Sequence, residues 1–578
     1  MMSRFVAFTS LGRKALPNQY DLLALALIIA AFIAVSHTTS GLTLPLEAPE
    51  STAISLDYRH LPYYALRTTL RMFAAIALSL LFTFTYATLA AKSRRAEMVL
   101  IPLLDVLQSV PILGFLSFTV TFFLGLFPGS VLGAECAAVF AIFTSQAWNM
   151  AFSFYQSLRG VPRDLIEVSR GFQLSGWQKF WQLEAPFAMP GLIWNTMMSM
   201  SGGWFFVVAS EAISVGDTTI KLPGIGSYLA VAIDDKSIPA VFAAIITMMF
   251  VIIGYDQLLF RPLVVFAARF RVELSASQTQ ESSWVSQVFR QTRWLRALMS
   301  GPAEMFHSIS LWRLELPFRW PAANADARAP SRLLDVIWLV LVAALAFWAG
   351  RLIFNFVRHD LVLADVEQAV LLTLITMLRV VLLMALATVV WVPIGVWIGL
   401  RPALAEKVQP LAQFLAAFPA NVIFPVAVVA ILRFHLNPDI WLSFLIIFGT
   451  QWYILFNVIA GATAFPNDLR EAAANFQIRG WSWWRYVILP GIFPYYMTGA
   501  LTASGGSWNA AIVAEYVKWG DDTISAHGIG AYIAKATADG DFPRIVLGVV
   551  VMSIFVILFN RLFWRPLFGL AEKRLRLD

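Results

Sequence analysis

Few residues in this 578-residue chain have the type and spacing for bond-making chemistry. The six histidines are scattered, no His/Asp/Glu group has metal-ligand spacing, and the single Cys136 sits inside an apolar run. A disulfide framework and a thiolate metal site are therefore excluded. No G-x-x-x-x-G-K-[ST] phosphate loop occurs, so the chain does not hydrolyse ATP by itself. The chemistry the residues do offer is that of a docking handle. A polar, amphipathic stretch from Pro466 to Pro494 interrupts two apolar runs, and it has a twin from Pro162 to Pro190. An offset of 304 residues superposes the two without a gap, pairing Pro162/Pro466, Asp164/Asp468, Leu165/Leu469, Glu167/Glu471, Phe172/Phe476, Gln173/Gln477, Gly176/Gly480, Trp177/Trp481, Pro186/Pro490 and Pro190/Pro494. Asp164, and Asn467 with Asp468, follow a proline at positions that cap free N–H groups, so each stretch is expected to begin as a short helix. Arg470, Glu471 and Ala472 to Ala474 are strong helix formers, and the small alanines let another protein surface approach closely. Trp177, Phe180 and Trp181, or Trp481, Trp483 and Trp484, then suit the headgroup level before the chain re-enters the membrane at Pro186 or Pro490.

The elements that position these handles are membrane spans. Hydrophobic residues make up 59% of the chain and charged residues 13%, against about 25% charged in soluble proteins. Runs of about 20 apolar residues cross a hydrocarbon core as helices, and no alternating barrel pattern is present. The expected class is an all-α integral membrane protein. Six runs fall at about 21–36, 64–91, 97–125, 134–158, 187–210 and 239–260, and six more at about 333–357, 369–400, 408–432, 439–463, 493–513 and 543–564. Lys92, Arg94 and Arg95, the stretch from Arg159 to Lys179, and Arg261 to Arg271 make the loops after the second, fourth and sixth runs basic, hence cytoplasmic. Both termini are then cytoplasmic, and the +7 net charge is that of inward-facing loops, with no call for a nucleic acid partner. The basic start leads into a span that is its own insertion signal, with no cleavable signal peptide expected.

The duplication extends beyond the handles. The offset of 304 still pairs Trp204/Trp508, Glu211/Glu515, Gly216/Gly520, Gly224/Gly528, Gly226/Gly530, Tyr228/Tyr532, Pro239/Pro543 and Arg261/Arg565, and an offset of 308 pairs Arg71/Arg379, Pro102/Pro410 and Pro111/Pro419. Residues 1–263 and 333–578 are thus read as two parallel six-helix repeats, related by an axis along the membrane normal. Residues 264–332 form a cytoplasmic linker, either a tether or, from its tryptophans among arginines, a helix lying on the membrane lipid.

A second constellation lies in the fifth run of each half. Gly202-Gly203-Trp204 and Gly505-Gly506-Ser507-Trp508 lead towards Glu211 and Glu515. Small residues let helices pack closely in lipid, or line a pathway between the halves. Polar groups within spans usually face the interior, which makes Gln108, Ser109, Asn195, Ser199, Ser201, Asn421 and Asn509, with Trp204 and Trp508, the candidate pathway residues. Pro111 and Pro419 are expected to break their helices and free backbone groups for a ligand. Asp105 is the most anomalous charge. No Lys or Arg occupies the centre of these helices, so an anion there would be held by neutral donors.

Glu471-Ala472-Ala473, Gly480 nine residues after that Glu, and Ile488-Leu489-Pro490 resemble the cytoplasmic EAA loop of binding-protein-dependent ABC importer permeases. The resemblance covers nearly the whole chain, which looks like a fused, duplicated permease of the nitrate/sulfonate/taurine type. It implies the type I ABC importer transmembrane fold with about 12 helices, and a bacterial inner-membrane location. It also implies alternating access for a small anion such as nitrate, a sulfonate, taurine, bicarbonate or an aromatic organic anion. Two copies of a cytoplasmic ATPase would carry ATP and Mg, the chain itself binding no cofactor and being no enzyme, and a periplasmic binding protein would deliver the solute. Carried over by position, Asp164, Glu167, Val168, Ser169 and Gly176, and Asp468, Glu471, Ala472, Ala473 and Gly480, form two ATPase-coupling helices within loops 162–190 and 466–494. Val168 and Ser169 replace the alanines in the first copy, and Gln173 and Gln477 stand where a Gly is usual, which leaves room for unequal docking sites. Twelve helices in two parallel halves also describe an ion-driven secondary transporter of the major facilitator type, but that mechanism does not need the long amphipathic loops.

Overall fold

The computed structural model describes residues 54–215, 218–267, 285, 292, 301, 304–305, 307–313, 332–567 and 569. The first expected span and most of the linker lie outside the described residues. In the first repeat α1 (Leu61–Lys92), α2 (Arg94–Ser109), α3 (Ile112–Leu126) and α4 (Val131–Arg159) precede α5 (Arg163–Gly171) and α6 (Gly176–Lys179). A π-helical turn (Phe180–Glu184) leads into α7 (Ala185–Glu211), a hairpin of β1 (Ala212–Val215) and β2 (Thr218–Lys221), α8 (Ile225–Asp234), α9 (Ile238–Tyr255), a second π turn and α10 (Arg261–Ala267). The second repeat has α11 (Arg332–Asp360), α12 (Leu363–Gly399), α13 (Pro402–Ala417), α14 (Phe424–Arg433), α15 (Pro438–Phe448), α16 (Gln451–Thr463), α17 (Asn467–Asn475) and α18 (Gly480–Trp483). It continues as α19 (Leu489–Ala514), β3 (Tyr516–Trp519), β4 (Asp522–Ser525), α20 (Ile529–Ala538) and α21 (Phe542–Phe559). The π turns recur at the same offset, Trp484–Ile488 and Asn560–Trp564.

Every expected run within the described residues coincides with a helix or a broken helix. By length and apolarity, five helices among the described residues suffice to cross a membrane, or seven when two bent pairs count as one span each. The breaks have local causes. Proline lacks an N–H and drives the residue before it to extended backbone. Val110, before Pro111, has ψ 126°, and α2 and α3 meet at 100°. Phe418, before Pro419, has ψ 127°, and a 3₁₀ turn at Ala420–Val422 separates α13 from α14.

Each third span therefore crosses to the opposite repeat. Ile112, Leu113, Leu116 and Val120 of α3 share a core with Trp508, Ile512 and Val549 of α19 and α21. The approach is close: a Cβ on Gly114 would lie 2.6 Å from Val549 Cγ2. Reciprocally, α14 packs against α9 of the first repeat. Faces turned away from these cores remain apolar, with Leu81, Phe250 and Val389 exposed, as lipid rather than water demands.

The loops after α7 and α19 hold the two hairpins, paired Ala212↔Lys221 and Tyr516↔Ser525. These four-residue strands are too short for alternation to announce them. They are exchanged between repeats, β1 packing on α20 and β3 on α8. Gly520 N donates to Ile233 O at 3.0 Å and Lys236 pairs with Asp522 at 3.0 Å, so the two repeats meet at the hairpin end.

Candidate functional site: coupling loops and the space between the repeats

At the opposite end from the hairpins stand α5 and α17. Both start at proline, Pro162 and Pro466 being the N-cap residues with no side-chain cap. Asp164 and Asp468 lie in the first turn instead of capping it, where they act on the helix dipole. Glu167 and Glu471 point outward and are exposed, whereas Ser169 and Ala473 are buried beneath the helix. Val168 is exposed and Ala472 half-buried.

Both helices end in the same turn. Leu174 N donates to Ser169 O and Gln173 N to Arg170 O; Ile478 N donates to Ala473 O and Gln477 N to Ala474 O. This six-to-one and five-to-two pattern requires a left-handed residue after the helix. Gln173 and Gln477 supply it, at φ 53° and 52°. The two departures from the usual Gly thus preserve the backbone. Gly480 is also left-handed (φ 61°), while Gly176 is not, and it opens α6 behind the capping box of Ser175 and Gln178.

The polar cluster that sequence reasoning did not find lies between these loops and the hairpins. Arg71 sits on α1, about 15 Å along the axis from Leu61. Its guanidinium bonds Glu135 (Nε–Oε2 2.5 Å, Nη2–Oε1 2.7 Å), Glu211 (2.7 Å) and Pro223 O (2.9 Å), and Arg67 adds a 2.8 Å bond to Glu135. Thr68 donates to Glu211 at 2.7 Å and accepts from Ile225 N at 3.0 Å, and Gly226 N donates to Glu211 at 2.7 Å. The carboxylate of Glu211 therefore holds the N-terminus of α8.

The second repeat rebuilds this around Glu515, which takes hydrogen bonds from Arg379, from Thr376 (2.9 Å), from Gly530 N (2.8 Å) and from Ala531 N (3.3 Å). Asp439 takes the place of Glu135, the offset of 304 holding there too. It lies 3.7 Å from Arg379 and bonds His527. A Cβ on Gly224 or Gly528 would fall within 2.3 Å of the Glu211 or Glu515 carboxylate, which explains why both copies carry glycine. The signal was present in the sequence: Arg71/Arg379 and Glu211/Glu515 coincide in both copies, and charge within a span is costly unless paired. With its carboxylates engaged by arginine, hydroxyl and backbone donors, the cluster serves to tie α8 and α20 to the second spans.

The candidate pathway residues divide into groups. Asn421 Nδ2 donates to Phe205 O (3.1 Å), and Asn509 Oδ1 accepts from Ile112 N (2.7 Å), the amide freed at the Pro111 break. Both asparagines thus join the repeats at the broken helices. Gln108 bonds Asn149, and Asn195 bonds Ser153, within the first repeat. Ser109 and Ser199 are buried. Ser201 and Trp204 line a crevice of about 220 Å³ between α7, α9 and α13, with Gln257, Gln413 and the paired Asp256 and Arg261 (3.5 Å) as further polar walls. Trp204 and Trp508 are fully buried and their Nε1 groups have no partner.

This geometry defines a class: a duplicated helical membrane protein with matched, exposed amphipathic helices at one end and a polar-lined interface between its repeats. The sequence profile described as binding-protein-dependent transport system inner membrane component matches residues 83–260 and again 391–566, and the chain belongs to that family. That family is one of permease components of binding-protein-dependent transporters, so the secondary-transporter alternative falls away. Among its relatives is the bicarbonate transport system permease protein CmpB of Synechococcus elongatus, 30% identical over 33% of this chain and 65% of that protein. The nitrate import permease protein NrtB of Leptolyngbya laminosa is 25% identical over 31% and 60%. The glycine betaine/carnitine transport permease protein GbuB of Listeria monocytogenes is 29% identical over 29% and 54%. The chain spans less than two thirds of the length of these curated relatives.

Proposed function

We propose that this chain is the fused permease of an ATP-driven importer for a small anion, in which α5 and α17 each receive one ATPase subunit and the solute passes between the repeats. The observation that carries the reading is the pair of exposed coupling helices, identical in length, offset and terminal turn, on one end of the bundle. Relatives named for bicarbonate and nitrate transport support the anionic solute. The inter-repeat crevice is bounded by the Asp256–Arg261 pair (3.5 Å), and Trp204 Nε1, which has no partner, is the donor it offers a solute. The ATPases carry ATP and Mg, and a periplasmic binding protein docks on the hairpin end, with the chain in a bacterial inner membrane and its termini inside. In this reading the contacts of Gly520 and Lys236 close the outer side, and ATP-driven approach of α5 and α17 opens it.

Replacing Glu471 by Ala is expected to lower ATP-dependent uptake about tenfold, as loss of an interface hot spot does, and Glu167→Ala less. ATPase co-purification and uptake in vesicles measure both. A double variant that assembles and transports like the native protein removes the coupling assignment.

A further inference from the structure

The linker is described at residues 307–313, and its hydrogen bonds there reach the first coupling loop. Trp177 Nε1 donates to Ile309 O and Gln178 Nε2 to Leu311 O, each at 2.8 Å. The acceptors belong to a helical turn closed by Leu311 N→His307 O, Trp312 N→Ile309 O and Ser310 Oγ→His307 O. Leu311 O, at the end of the turn, has no partner within it, and Ile309 O uses a second lone pair beside the bond from Trp312 N.

The donors are held in place. Gln178 Oε1 accepts from Ser175 N (3.0 Å) while Ser175 Oγ accepts from Gln178 N, which leaves Nε2 aimed at the linker. Trp177 packs edge-on against Trp181 at 5.8 Å. A second tie acts from the membrane side, where Glu184 pairs with Lys92 (2.9 Å) and Lys179 (3.5 Å).

The second loop has none of these donors in place. Trp481 is 74% exposed, the position of Gln178 is taken by the short, exposed Ser482, and that of Glu184 by the buried Ile488. Leu311 and Trp312 stand exposed beside the first loop.

Resting on the coupling reading above, we propose that the linker turn His307–Trp312 is a brace built into the first coupling site. The ATPase on α5 then meets a surface made of that helix together with the linker, whereas α17 has no such turn beside it among the described residues. One chain thereby presents two different docking sites, and the difference lies in the linker as well as in the coupling-helix residues.

The test uses the full-length permease in lipid nanodiscs, alone and with its co-expressed ATPase. Trp177→Phe with Gln178→Glu removes both donors, yet keeps the ring against Trp181 and the acceptor for Ser175 N. Two neutral hydrogen bonds suffice for about a tenfold change in a local opening equilibrium. Hydrogen exchange over 163–180 is expected to quicken about tenfold in this variant, with 467–484 unchanged; equal exchange in native and variant protein overturns the brace. In a Cys136→Ser background, Trp312→Cys carrying a benzophenone-maleimide is expected to cross-link the ATPase, and to lose that cross-link in the Trp177→Phe/Gln178→Glu variant. Failure of Trp312→Cys while Phe172→Cys and Phe476→Cys both cross-link overturns the brace and leaves the coupling reading standing. Failure of all three overturns the coupling reading and the brace with it.

Discussion

The two repeats build the same backbone with different attachments. Their coupling helices end in identical left-handed turns at Gln173 and Gln477, although one carries Val168 and Ser169 and the other Ala472 and Ala473. Their buried carboxylates, Glu211 and Glu515, hold the N-termini of α8 and α20 alike. Around that shared frame the first repeat is the more enclosed. Arg71 has a side chain 3% exposed and faces two buried carboxylates, whereas the side chain of Arg379 is 10% exposed and its outer partner Asp439 is 41% exposed. The lesson is that duplication preserves what the backbone cannot form without, while the ties to neighbouring elements diverge.

The largest break in this comparison should come from the arginines. Arg71→Met strips the cation from two buried carboxylates, leaving Glu135 with Arg67 and Glu211 with Thr68 and Gly226 N, and removing one partner of a buried ion pair costs about 3–5 kcal/mol. Arg379→Met leaves Glu515 its threonine and backbone donors, and a lost charged hydrogen bond costs about 2 kcal/mol. Thermal unfolding of the two variants in detergent measures the difference, and equal losses mean the repeats are equally enclosed. A smaller, matched effect is expected at the glycines. Gly224→Ala and Gly528→Ala each drive a methyl group into a carboxylate, costing about 1–3 kcal/mol as overpacking does. Unequal melting shifts would show that one carboxylate can move aside.

Smallest, and of opposite sign, is the terminal turn. Gln173→Gly and Gln477→Gly relieve a left-handed residue worth roughly 1 kcal/mol. Slower hydrogen exchange at the end of α17 than at the end of α5 on this change would sharpen the contrast between the loop with the linker turn and its twin.

Much of the coupling site was legible in the sequence because it is local. Helix formers behind a proline, aromatic residues at the headgroup level and a gapless offset of 304 residues define α5 and α17 without reference to other elements. The capping role given to Asp164 and Asp468 failed for a local reason too, since Pro162 and Pro466 occupy the cap positions themselves. The pathway residues were less legible. Asn421 and Asn509 are polar groups in spans, as any pathway group would be, and only their partners, Phe205 O and Ile112 N, identify them as joints between repeats.

What the sequence determined by itself was the class, the duplication, the order of the apolar runs and the two short helices behind Pro162 and Pro466, because hydropathy, helix propensity and repeat spacing act over a few turns of chain. Tertiary structure decided the exchange of the third spans and hairpins between repeats, the pairing of Arg71 with Glu135 and Glu211, and the seat of the linker on Trp177 and Gln178. Each of these joins groups at least 64 residues apart. Such contacts depend on which faces meet once every span has excluded its backbone from lipid, and no local pattern records that choice.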